Sequence, residues 1–80
     1  MRDMKKITFT IEPGWSAVFA DWLNSKIHGK NINKILANSG LSRMQFYRVR
    51  YKPSDKVMMD TIHKAAAIAG YKIEIRMKSE

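Results

Sequence analysis

Two segments of strict alternation stand at opposite ends of this chain, and everything between them follows a different period. Residues 5–12, KKITFTIE, put Ile7, Phe9 and Ile11 on one face and Lys6, Thr8, Thr10 and Glu12 on the other. Residues 71–78, YKIEIRMK, set Tyr71, Ile73, Ile75 and Met77 against Lys72, Glu74, Arg76 and Lys78. A period of two describes a strand with one face that must leave water. A lone two-stranded ribbon is marginal in water. The expectation is therefore a small antiparallel sheet formed across a dimer, with Ile7, Phe9, Ile11, Ile73 and Ile75 as the interface. Pairing of both strands within one monomer, with dimerisation through helices, is the other arrangement, and the alternation does not decide between them.

Between the strands the apolar residues recur every three or four positions. Pro13 suits a first helical turn. Trp15, Val18, Phe19, Trp22, Leu23 and Ile27 then form one broad stripe, predicting a helix over 14–28. Asn31 can cap a short helix over 32–38 that carries Ile32, Ile35 and Leu36. Gly40 interrupts it. Ser42 with Gln45 three residues later is a capping box, opening a helix over 42–50 whose inward residues are Phe46 and Val49. Ser54 or Asp55 is the expected cap of a last helix, 55–69, running through Met58, Ile62, Ala65 and Ile68 to a stop at Gly70. The whole chain, 1–80, reads as one mainly α domain of four to five helices with a strand at each end.

Charge narrows the class of partner. Fifteen Lys and Arg oppose seven Asp and Glu, a formal charge of +8. The excess is local: Lys26, Lys30, Lys34, Arg43, Arg48, Arg50 and Lys52 fall in a stretch that holds no acid between Asp21 and Asp55. Such a zone suits a polyanion, although a solvated cationic face would look the same. Cysteine is absent, which removes disulfides and thiolate metal sites and fits a reducing compartment. No apolar run is long enough for a secretory signal or a membrane span, so a soluble, cytoplasmic and nucleoid-associated protein is expected. His28 and His63 have no acid or cysteine at ligand or triad spacing, and neither catalysis, metal nor cofactor is expected.

The basic zone coincides with the pattern helix, glycine turn, capped helix, in INKILANSGLSRMQFYRVR, residues 32–50. A helix-turn-helix needs these parts: a turn tight enough to require positive φ, and a second helix with a thin inward face so that the rest can enter a groove. Leu41 fills the space under the turn. The stretch resembles the Xre/Cro-type (lambda-repressor-like) helix-turn-helix family, and most closely its short antitoxin and phage-type regulators. SGLSRMQFYRV is similar to the family's turn and recognition helix, and TIHKAAAIAGYKIEI to its following helix, glycine stop and terminal strand. Leu36 stands where the family usually has a small residue, with Ala37 after it.

The resemblance implies that Ser42, Arg43, Met44, Tyr47 and Arg48 face base edges in the major groove of double-stranded DNA. Arginine pairs bidentately with guanine, and methionine suits a thymine methyl. Asn31, Asn33, Lys34, Arg50 and Lys52 are better placed for phosphates. The implied function is a dimeric regulator, a repressor on an inverted-repeat site. It is an autoregulating antitoxin with a cognate toxin as partner, or a phage regulator. A small basic RNA-cleaving toxin and a non-specific nucleic-acid binder are the readings from other classes.

Overall fold

The computed structural model describes residues 5–37 and 39–77. Strand β1 (Lys5–Ile11) leads into helices α1 (Trp15–Ile27), α2 (Ile32–Leu36), α3 (Arg43–Tyr51) and α4 (Met59–Ile68), and strand β2 (Tyr71–Met77) closes the chain. Among the described residues no helix is long and apolar enough to cross a membrane.

The two strands pair with each other in parallel, from Lys5 opposite Tyr71 to Ile11 opposite Met77. This corrects the expected antiparallel sheet across a dimer. The physical reason lies in the connection. Parallel neighbours need a crossover of a dozen or more residues, and α1 to α4 are that crossover. The alternating faces are covered within one chain: Phe9 is 9% exposed and Ile73 5%, and Ile7, Ile11 and Ile75 pack half-buried beside them. The five residues expected at a dimer interface therefore belong to one chain's own core and its margin. Across the polar face, Lys6 reaches Glu74 at 2.6 Å and Arg76 meets the same carboxylate at 3.2 Å, which holds the Glu74 carboxyl below its usual range.

The core lies between the sheet and the helices. Helix α1 buries Trp15, Ser16, Phe19, Ala20, Leu23 and Ile27. Val18 was expected in this stripe but is 60% exposed. The stripe centres on Phe19 and Leu23, which leaves Val18 beyond its outer edge. Phe9, Phe19, Trp22 and Tyr71 form a chain of edge-on and tilted rings with centroids 5.0–5.6 Å apart. Ile62, Ala65 and Ala66 bring α4 onto this cluster.

Helix α4 begins at Met59, later than the expected 55, because its expected cap is used elsewhere. Ser54 turns the chain by accepting the Lys56 N–H at 3.2 Å, and its carbonyl accepts from Val57 at 3.0 Å. Asp55 caps α1 instead. Its carboxylate accepts the Gly14 N–H at 2.8 Å, the Ser16 N–H at 3.2 Å and the Ser16 hydroxyl at 2.6 Å. Gly14, at φ 86°, precedes α1 with no side chain of its own to offer, and Asp55 supplies the anion that a helix N-terminus favours.

The Ser16 hydroxyl and then the two amides hold the Asp55 carboxyl below its ordinary pKa. A depressed carboxyl contributes stability above the unfolded pKa, and that stability is lost as pH falls through the folded one. Asp55→Ala is therefore expected to lower Tm at neutral pH. The gap to wild type should close as pH falls below the ordinary aspartate value of 3.8 and through the lowered one. A gap that stays constant with pH would mean that the charge on Asp55 contributes nothing.

Candidate nucleic-acid interface

The local structure of residues 31–51 follows from a few side-chain bonds. Asn31 caps α2 by accepting the Lys34 N–H at 3.2 Å. The helix stops at Leu36, short of the expected 38, and residue 38 lies outside the described residues. Ser39 donates to the Leu36 carbonyl at 2.9 Å and accepts the Leu41 N–H at 3.0 Å, holding the turn from both sides. Gly40 has φ 81°, the left-handed conformation that the turn requires. Leu41 is buried beneath it. The expected capping box is complete: the Gln45 N–H donates to Ser42 Oγ at 3.1 Å and the Ser42 N–H to Gln45 Oε1 at 2.9 Å.

Helix α3 buries only Phe46 and Val49. Arg43, Met44, Tyr47, Arg48 and Tyr51 recur at helical spacing on the opposite side, and all five are exposed. Four of the expected base readers thus share one face. The fifth, Ser42, is exposed at the helix start with its hydroxyl engaged in the cap. Among the described residues neither Arg43 nor Arg48 takes part in an ion pair.

Tyr51 joins this face although the sequence reading passed over it. Its ring lies 5.2 Å from that of Tyr47, one helical turn earlier. The spacing of four between the two tyrosines was the available signal. Met44 and Tyr47, 59% and 48% exposed, set large apolar surface among the arginines of this face.

The expected phosphate contacts divide. Asn33, Lys34 and Lys52 are exposed, and so is Asn31 apart from its cap bond. Lys34 lines a groove with Ile35 and Ser39 of the α2 side and Lys64 of α4, a second cation that sequence reasoning missed. Lys64 also bonds Asp60 at 3.1 Å, one turn earlier. Arg50 is placed differently. It is half-buried, its Nε donates to Asn24 Oδ1 at 2.6 Å, and its Nη2 donates to the Tyr51 hydroxyl at 2.6 Å. Its guanidinium lies 4.6 Å from the Tyr51 ring centre and 5.5 Å from that of Phe46. Asn24 returns a bond to the Arg50 carbonyl at 3.1 Å. Arg50 therefore joins α1 to α3 and steadies Tyr51.

Comparison of the chain with protein-family models, curated proteins and solved structures returned no match.

Proposed function

We propose that the protein binds double-stranded DNA by laying α3 in the major groove, as a sequence-specific transcriptional regulator. The observation that carries this reading is the outward face of α3, with two arginines that form no ion pair among the described residues, a methionine and two tyrosines on a helix held by two buried residues. The turn at Gly40 and the acid-free stretch from Trp22 to Ser54 support it. Arg43 and Arg48 would read guanine edges, and Met44 with Tyr47 would meet thymine methyls. Asn33, Lys34 and Lys52 would hold the backbone.

A symmetric inverted-repeat site calls for two copies, with their α3 helices about one turn of B-DNA apart. A homodimer, a repressor's role and a cognate toxin as partner are extensions that rest on the family resemblance, and a cytoplasmic location near the nucleoid is one that rests on composition. The electrostatic part of the reading is tested by salt. A dimer making roughly 6–8 phosphate contacts should show log K falling against log salt with a slope of about −5 to −7. A slope shallower than about −2 would place the basic zone away from the nucleic acid.

A further inference from the structure

A cleft of about 310 Å³ opens beside α3, between the start of α1, the 53–58 loop and α4. Small-molecule sites begin near this size, at roughly 300 Å³. Its accessible floor is apolar, formed by Pro53, Val57 and Met58, with Phe19, Val49 and Ile62 closed beneath them. Its rim carries Arg48, Lys52 and Lys56. Among the described residues no acidic side chain lines it. Two acids adjoin lining residues in sequence, and both are committed: Asp55 to Gly14 and Ser16, and Asp60 to Lys64 at 3.1 Å. Among the described residues none of the three rim cations forms an ion pair.

An apolar floor under an uncompensated cationic rim selects its occupant by chemistry. A neutral apolar molecule would gain nothing from the three exposed cations, and a small inorganic anion would gain nothing from the apolar floor. We propose that the cleft binds a small carboxylate with an alkyl or aryl body, and that this ligand is an effector of the α3 surface. The body lies on Pro53, Val57 and Met58, and the carboxylate meets Arg48, Lys52 and Lys56. Arg48 and Lys52 are shared with the DNA face, so a bound carboxylate withdraws two cations from DNA and sets a negative charge beside its phosphates. The effector role rests on the DNA-binding reading; occupancy of the cleft does not.

The two are separated by testing the cleft on the protein without DNA. The apolar anion 8-anilino-1-naphthalenesulfonate serves as a fluorescent reporter, displaced by decanoate or by decanol below their aggregation limits. Decanoate is expected to displace it at a concentration at least about fivefold lower than decanol. Lys56→Glu should weaken decanoate about fivefold or more, whereas Lys30→Glu, the same charge change on an exposed loop away from the cleft, should not. Thr61→Trp, which fills the cleft from α4, should abolish displacement by either.

Equal displacement by decanoate and decanol would overturn the site. So would an equal loss in Lys56→Glu and Lys30→Glu, since general attraction to a basic protein would then explain the binding. In the second arm, saturating decanoate is expected to weaken binding to a selected duplex at least about tenfold. Decanoate that occupies the cleft and leaves DNA affinity unchanged would overturn the effector role. A protein that binds no DNA at all would instead refute the reading of α3, and the first arm would still decide the cleft.

Discussion

The double variant Arg43→Ala, Arg48→Ala is expected to lose about 2–6 kcal/mol of affinity for its specific duplex, taking roughly 1–3 kcal/mol for each guanine-reading arginine. That is a loss of roughly thirtyfold to twenty-thousandfold. Both side chains are exposed and unpaired among the described residues, so the fold loses nothing with them. Tm should stay near wild type, because exposed substitutions of this kind usually move stability by less than about 0.5 kcal/mol. Affinity for random duplex should fall far less. Titrations of both duplexes, with a melting curve on the same samples, check all three statements. If specific and random affinity fell by the same factor, the arginines would be phosphate contacts and α3 would not read sequence.

Phe46→Ala is expected to act in the opposite way, on stability first and on binding through it. Phe46 is 2% exposed and is one of two side chains by which α3 holds to the core. Removing a buried phenylalanine ring costs about 3–5 kcal/mol. A domain of this size has about 4–12 kcal/mol in total, at 0.05–0.15 kcal/mol per residue. The variant should therefore lie at the margin of folding, with DNA binding lost although every residue of the outward face is intact. Met44→Ala on that face is the contrast: stability close to wild type, with any effect confined to binding. Denaturant titration of the three proteins decides the matter. A Phe46→Ala variant as stable as wild type would mean that α3 is not anchored as described.

These two predictions draw on features of different legibility. The strands at both ends were readable because Ile7, Phe9 and Ile11, and Ile73 and Ile75, repeat every second residue. Their direction was not, since a period of two identifies a face and carries no sense along the chain. The parallel pairing depends on four helices acting as one crossover, a property of the packed whole. The turn and the start of α3 were readable to the residue, because Gly40, Ser42 and Gln45 act on backbone groups within three positions of themselves.

Distant partners left no such trace. Asp55 looked like the cap of the helix that follows it, yet serves a helix 39 to 41 residues earlier. Arg50 was expected at a phosphate by its place in the motif, and its side chain reaches Asn24 across 26 residues. Val18 fitted the periodic stripe of α1 but falls outside its buried centre. In each case local pattern names the residue's chemistry, and the tertiary fold chooses its partner.

Selection of bound duplexes from a random pool, followed by titration of the selected duplex, a scrambled duplex and the corresponding single strand, tests the claim that α3 reads double-stranded DNA. The account predicts an enriched site with half-sites about 10 base pairs apart, centre to centre. It predicts affinity for that site on the order of a thousandfold above the scrambled duplex. A pool that returns no motif would contradict it, as would a single strand that binds as tightly as the selected duplex, for then Tyr47 and Tyr51 would be stacking on unpaired bases rather than facing a groove.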